Sequence, residues 1–301
     1  MDIGKFIDRF NPKIKKSIRI ISPLRLRNYI RKCLIKIDNK RDIYHLEDIQ
    51  QKVLLGKFKT GENIKLFDYS ICINDGTVFL SIYRDVFIKR IYHFVAQCKN
   101  PLILDCGSNI GGTILYFKHI YPQARIIGFE PDPLIFSYLE ENIKRNGIKG
   151  VELIRAALNG KEGIFEFYSD GKQGSRLEHH LRTNLEGWEK HEVRCVRLKN
   201  YLTEPVDFMK MNIEGAEWEV LSDCKDRLQL IREMIIEYHH LPGLPRTLHH
   251  ILGLLDRQGF EYQIYSFDSK PVFCLVPETS YYLLVYAKRI DSVNAVRENS
   301  R

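Results

Sequence analysis

No apolar run in the 301-residue chain approaches the roughly 18 to 20 residues needed to cross a bilayer. The first ten residues mix Asp2, Lys5, Asp8 and Arg9 with apolar side chains, so no cleaved leader is expected. No two of the seven cysteines (Cys33, Cys72, Cys98, Cys106, Cys195, Cys224, Cys274) form a C-x-x-C pair, and their number is odd. Most fall in apolar stretches, which predicts free buried thiols in a reducing, cytoplasmic setting. The histidine pairs at 179/180, 239/240 and 249/250 lack ligand spacing, so no zinc site is expected. The chain also lacks internal repeats, low-complexity linkers and a G-x-x-x-x-G-K-[ST] stretch, which excludes a P-loop.

What is present is a globular composition, 44% hydrophobic and 28% charged. Its length suffices for one core plus a small cap. Charge is uneven. Residues 1–41 hold 13 Lys and Arg against Asp2, Asp8 and Asp38, a net of +10, whereas the other 260 residues hold 33 bases and 35 acids, a net of −2. Ile14, Ile18, Ile21, Leu24, Leu26, Ile30, Leu34 and Ile37 interleave with these bases at roughly helical spacing. Such a basic amphipathic arm suits either peripheral contact with an anionic membrane or packing on the main domain. The mildly acidic body gives no reason to expect nucleic acid. We divide the chain into an arm and cap at 1–98, a main domain at 99–290 and a tail at 291–301. The sequence leaves the oligomeric state open.

Periodicity predicts a short helix at 42–56, strands at 63–69 and 77–82 around the turn Asn74-Asp75-Gly76, and a helix at 84–98. A regular alternation then begins: strand 101–105, helix 113–120, strand 125–130, helix 133–145 and strand 151–158. Extended segments at 163–168 and 192–198 follow, then strand 206–213, helix 216–223, strand 233–238 and helix 247–258. Two strand-like segments, 261–265 and 281–287, close the chain. Alternating strands and helices predict an α/β, doubly wound, mostly parallel sheet with its ligand beyond the strand C-termini.

The first of these strands runs into "ILDCGSNIGG", residues 103–112. A dinucleotide turn would read G-x-G-x-x-G, but Asn109 stands at the middle glycine. Asn tolerates a left-handed backbone, so the sharp turn can still form. Asp105 at the strand end would repel a pyrophosphate but suits the ammonium and sulfonium of S-adenosylmethionine. Glu130 ends the next strand, 25 residues beyond Asp105, where a carboxylate can accept both ribose hydroxyls of an adenosine ligand. NAD and S-adenosylmethionine both fit that acid, and only the first turn separates them.

"LDCGSNIGG", "GFEPDP", "NIKRNG", "IRAAL", "DFMKMNIEGAEWEVL" and "IIEYH", in that order, resemble the FkbM family of S-adenosylmethionine-dependent methyltransferases over roughly residues 80–290. The "MKMNIEGAEWEVL" block carries most of the specificity. The resemblance implies the class I methyltransferase (Rossmann-like) fold, a seven-stranded sheet whose last strand is antiparallel, with the N-terminal residues as a helical and hairpin cap. It also implies O-methylation of a sugar, polyketide or glycolipid hydroxyl, as in glycan biosynthesis. Carried over by motif, Asp105, Gly107, Ser108, Asn109 and Gly111 would line the methionine half of the cofactor. Glu130 would hold the ribose with Asp132 assisting, and Arg155 and Ala156 would flank the adenine.

Methylating a hydroxyl needs a positioned base, because the proton is held about as tightly as in water, near pKa ~15.7. Candidates cluster in "KMNIEGAE" and "EYHH": Lys210, Asn212, Glu214, Glu217, Glu237 and His239. Relatives commonly read K-x-D-x-E-G, so Asn212 is a departure. Asn cannot act as a base and binds Mg²⁺ less well than a carboxylate, which argues against metal dependence and moves the base role to His239 or Glu214. Lys210, on a buried strand, is expected to partner one of these acids. Ser175 and Arg176 fall in a loop, 169–190, that the resemblance places over the acceptor; Arg176, His179 and His180 suit a hydroxyl-rich or phosphorylated one. Residues 83–94 are expected to close over the cofactor as a lid. Alternative readings are N- or RNA methylation, disfavoured because no N-P-P-[YF] stretch is present, a catalytically impaired cofactor-binding module, and an NAD-dependent dehydrogenase.

Overall fold

Two short runs, Asn63–Leu66 (β1) and Tyr69–Cys72 (β2), pair antiparallel around Phe67 at φ +54°. The computed structural model describes residue 52 and residues 59–171, 175–177, 187–241, 244–266 and 280–289. The basic arm, His179, His180, the tail at 291–301 and, apart from helical Lys52, the helix expected at 42–56 lie outside the described residues.

The hairpin turn therefore falls at 67–68, not at 74–76. The second expected strand, 77–82, is instead a helix, Gly76–Ile82 (α1). The Asp75 carboxylate accepts the amides of Thr77 and Val78 at 2.8 and 3.1 Å, so the N-D-G signal is a helix N-cap. Burial of Val78 and Phe79 overrides the β preference of Thr77 and Val78. The helix expected over 84–98 is only a π-helical turn, Tyr83–Ile88, ended by Arg90 at φ +54°.

Beyond it the alternation holds: Leu102–Cys106 (β3), Gly112–Ile120 (α2), Arg125–Phe129 (β4), Pro133–Arg145 (α3) and Val151–Ile154 (β5). The strand expected over 151–158 breaks at Arg155–Ala156, and Ala157–Leu158 (β6) joins a different sheet. There it sits with Gly163–Ser169 (β7), Ser175–Leu177 (β8) and Glu189–Val196 (β9) in the order β6-β9-β7-β8. Val206–Met211 (β10), Glu217–Asp223 (α4), Ile231–His240 (β11), Leu248–Arg257 (α5), Phe260–Ser266 (β12) and Tyr281–Arg289 (β13) complete the order.

The main sheet has seven strands, β12-β13-β11-β10-β3-β4-β5. All run parallel except β13, which is antiparallel to both β11 and β12. This is the class I methyltransferase order, its last strand inserted and reversed. Every residue of β3 is buried, as a central strand covered on both faces requires. Ile103 and Phe208 meet the hairpin, α2 and α3 on one side, with Phe208 stacked on Phe94 at 4.4 Å. Leu102, Leu104 and Met209 meet α4 and α5 on the other. The chain passes from β3 to β4 on one side and from β10 to β11 on the other, so a crevice opens at the tips of β3 and β10.

The hairpin is held by α3. Asn142, fully buried, accepts the Cys72 amide (2.6 Å) and donates to the carbonyls of Cys72 (3.0 Å) and Ile110 (2.9 Å). One turn on, Asn146 accepts the Ser70 amide at 2.7 Å and donates to the Ser70 carbonyl at 2.9 Å. One asparagine on α3 and one at its C-cap thus satisfy the free edge of β2 as a neighbouring strand would. Asn142→Ala is expected to strand three buried backbone groups and to cost about 3 kcal/mol or more. Urea unfolding would read this as a lowered midpoint at unchanged slope.

Candidate active site at the strand tips

The turn after β3 answers the question its glycines pose. Gly107 has φ +88°, and a Cβ there would lie 1.9 Å from the Asn212 carbonyl oxygen, so only glycine fits. The amides of Gly107 and Ser108 both donate to the Phe129 carbonyl, at 3.0 and 2.8 Å. The Asn109 amide donates to Glu130 Oε2 at 2.9 Å, and the Ile110 amide to Asn109 Oδ1 at 2.8 Å. Asn109 takes the left-handed backbone expected of it, at φ +49°. Four successive amides are spent inside the protein and one faces a carboxylate. The turn is no phosphate cradle.

Behind the turn sits a buried ion pair. Asp105, fully enclosed, accepts the Thr113 hydroxyl at 2.6 Å and lies 3.4 Å from Lys210 Nζ. Lys210 also donates to the carbonyls of Gly107 and Cys106, and its ammonium lies 5.7 Å from the Tyr92 ring centre. Asp105 thus stands behind the wall it was expected to form, and it is the acid that partners Lys210. β3 and β10 are adjacent with Asp105 opposite Lys210 in register, a pairing invisible in the linear spacing.

In front of the turn the crevice encloses about 1200 Å³, its mouth included. Gly107, Ser108, Asn109, Glu130, Asp132 and Ala156 line it together with Lys210, Asn212, Glu214 and Glu237. Asp85, Val86, Ile91 and Tyr92 of the expected lid form a wall, and Phe167 and Leu177 of the small sheet another. Gly111, at φ +91°, opens α2 against Leu139 and does not reach the crevice. Arg155 is exposed and also stands outside it. Ser175 and Arg176 lie on β8, Arg176 opposite Tyr168.

Glu130 accepts two backbone amides, Asn109 on Oε2 and Asp132 on Oε1 (3.0 Å). Burial pushes its carboxyl up to about 7, with the two amides resisting. Asp132 is turned inward: it caps α3 through the Leu134 and Ile135 amides (2.8 and 3.0 Å) and accepts the Ser169 hydroxyl.

Glu214 takes φ +57°, rare for a residue with a Cβ, and its carboxylate pairs with His239. His239 Nδ1 lies 2.9 Å from Glu217 Oε1 and Nε2 lies 3.4 Å from Glu214 Oε1. Burial alone would lower the imidazole pKa, but the two carboxylates outweigh it and hold it well above its usual value. His239 therefore keeps its proton at neutral pH and stands behind the crevice wall. Glu237 lines the crevice, and its Oε1 accepts the Tyr92 hydroxyl. Burial pushes its carboxyl up to about 7, opposed by His239 and aided by Asp85. Asn212 donates its amide to the Cys106 carbonyl at 2.9 Å, while its Oδ1 has no hydrogen-bond partner among the described residues.

Among the described residues no three His, Cys, Asp or Glu side chains converge as a metal site, and no helix is long and apolar enough to cross a membrane. Cys72, Cys98, Cys106, Cys195 and Cys224 are free thiols; Cys98 is exposed. Lys210→Met would leave Asp105 charged and buried without its cation, an expected loss of about 3 to 5 kcal/mol. Thermal unfolding would check it.

A family model described as the methyltransferase FkbM domain matches residues 105–262, just over half of the chain. Methyltransferase 1 of Beauveria bassiana is 29% identical over 230 residues, covering 69% of this chain and 89% of its own. The 2-O-methyltransferase NoeI of Sinorhizobium fredii is 26% identical over 191 residues, 58% of this chain and 75% of its own. The 31-O-demethyl-FK506 methyltransferase FkbM of Streptomyces tacrolimicus is 26% identical over 213 residues, 60% of this chain and 80% of its own. With a matching strand order and a site at the strand tips, the chain belongs to the FkbM family of methyltransferases.

Proposed function

We propose that the chain is an S-adenosylmethionine-dependent O-methyltransferase acting on a hydroxyl of a sugar, glycolipid or related polyhydroxylated acceptor. The observation that carries this is Glu130. Its carboxylate is fixed by two amides at the tip of β4, facing a crevice of nucleoside size. A carboxylate so placed suits the paired hydroxyls of a ribose. In the turn beside it the amides of residues 107–111 are spent internally, one of them on Glu130, and that carboxylate would repel a pyrophosphate, which disfavours NAD. A sulfonium and an ammonium, by contrast, suit a crevice lined by Glu130, Glu214 and Glu237. Relatives that bear O-methyltransferase names support a hydroxyl as acceptor. A glycolipid acceptor would also give the +10 arm at 1–41 a role, as electrostatic contact with an anionic cytoplasmic leaflet.

Bound there, S-adenosylmethionine supplies an electrophilic methyl whose sulfur leaves as a neutral thioether. The chain's own part is to hold the acceptor oxygen in line, exclude water and accept the hydroxyl proton. Glu237 fits the last task. It lines the crevice, is poised near neutrality and makes no hydrogen bond through Oε2 among the described residues. His239, expected as the base, is charged and pinned; its part is to hold Glu214.

Radiolabelled methyl transfer across free sugars, oligosaccharides and glycolipids tests the reading. Binding of S-adenosylhomocysteine with no transfer would favour a cofactor-binding module instead. Glu130→Ala is expected to weaken S-adenosylhomocysteine at least tenfold, through loss of charge-assisted bonds worth about 1.5 to 3 kcal/mol each. In the wild type that affinity should rise as pH climbs through about 7, where Glu130 ionises; calorimetry at pH 6 and 8 reads both effects. Glu237→Gln is expected to lower kcat on the order of 10² to 10⁴-fold while leaving S-adenosylhomocysteine affinity near that of the wild type. The wild-type rate should rise with pH to a plateau above about 7.

A further inference from the structure

We propose that Tyr92 is a positioning residue for the proton-accepting carboxylate: its hydroxyl holds Glu237 Oε1 so that Oε2 is the oxygen presented to the acceptor. The inference rests on the reading of Glu237 as base, and it concerns a residue that no sequence motif picks out. Tyr92 lies in the irregular stretch between the π-helical turn and β3, is 4% exposed and lines the crevice. Its hydroxyl donates to Glu237 Oε1 across 145 residues of sequence. Its ring faces the Lys210 ammonium at 5.7 Å, and Lys210 in turn holds the Gly107 carbonyl. One side chain therefore links Glu237 to the lysine that holds the glycine turn.

A carboxylate near pKa 7 gains most from a fixed donor when it is charged, because the donor bonds the charged form more strongly than the neutral one. The other charged groups around Glu237 are already committed. On its own strand His239 is paired with Glu214 and Glu217. On the π-helical turn Asp85 takes Arg84 and Lys89. On β10 Lys210 takes Asp105, and Leu284 of β13, opposite Glu237 in register, is apolar. Among the described residues Tyr92 makes the hydrogen bond that sets which carboxylate oxygen stays open. A Tyr in a purely packing role would be replaced by Phe at little cost; a Tyr that orients a base would not.

Tyr92→Phe keeps the ring over Lys210 and removes only the hydroxyl. Stability of the full-length wild type, Tyr92→Phe, Glu237→Gln and the double variant, measured at pH 5.5 and 8.5, forms a cycle that needs no acceptor. The expected result is a loss in Tyr92→Phe that is larger at pH 8.5 than at 5.5, and whose pH dependence vanishes on the Glu237→Gln background. With the acceptor that the transfer screen identifies, the acid limb of kcat should move up by about one pH unit and kcat should fall about tenfold. KM and S-adenosylhomocysteine affinity should hold. A destabilisation equal at both pH values, or an unshifted acid limb, would make Tyr92 ordinary packing and overturn the proposal. Absence of transfer by the wild type would instead sink the transferase reading, with the stability cycle still deciding whether Tyr92 governs Glu237.

Discussion

Two opposite charges, Asp105 and Lys210, lie side by side on neighbouring parallel strands with almost no access to water. Desolvating such a pair is costly, and coulombic attraction alone rarely recovers the loss. Here each partner is also bonded to a neutral group: Asp105 to Thr113 at the start of α2, Lys210 to the carbonyls of Cys106 and Gly107. The pair thereby joins β3, β10, α2 and the glycine turn at one point. With the Gly107 carbonyl held, its amide and that of Ser108 are aimed at the end of β4, and the Asn109 amide falls on Glu130. The Glu130 carboxylate is therefore placed by a cation it never touches. The steric limit at Gly107, whose missing Cβ leaves room for the Asn212 carbonyl, works to the same end by letting β3 and β10 converge.

The same economy separates the acids. Glu130 and Glu237 are desolvated without a direct cation partner and sit near neutrality. Asp132 and Glu217 have similar chemistry but opposite placement, one consumed as a helix cap and one clamped on His239. Environment, more than residue type, decides which carboxyl can exchange a proton at physiological pH. The same logic removes His239 from the list of bases. An imidazole between a buried carboxylate, Glu217, and the half-buried Glu214 is stable as a cation, and a cation there supports the left-handed backbone at Glu214.

Local rules made much of this legible. The β-α alternation from 101 onward, the Asn109 backbone and the acid ending β4 all follow from patterns confined to one or two elements, while the reversed last strand was implied by the family resemblance alone. What the sequence hid was made by tertiary contact. Thr77 and Val78 look like strand residues until Asp75 caps them and the core takes Val78 and Phe79. The run 151–158 has one hydrophobic pattern but serves two sheets, and the break at Arg155 leaves no local mark. The Asp105–Lys210 pair joins residues more than a hundred positions apart, so spacing could name Lys210 as needing an acid without saying which. Tyr92 had no signal beyond its place in the segment expected to cover the cofactor.

Asn212, where the family resemblance leads one to expect Asp, looks at first like the lesion of a dead enzyme. The surrounding charges suggest otherwise. Asp85, Glu214 and Glu237 already border this end of the crevice. A further carboxylate would disfavour ionisation of Glu237, whose carboxyl burial already pushes up to about 7. A neutral amide in that place keeps ionisation of Glu237 within reach of physiological pH. It also leaves a buried Oδ1 without a donor among the described residues, an expensive condition unless a ligand supplies one. The substitution thus exchanges a charge for an unmet hydrogen bond, and a hydroxyl or ammonium entering the crevice is the kind of group that would meet it.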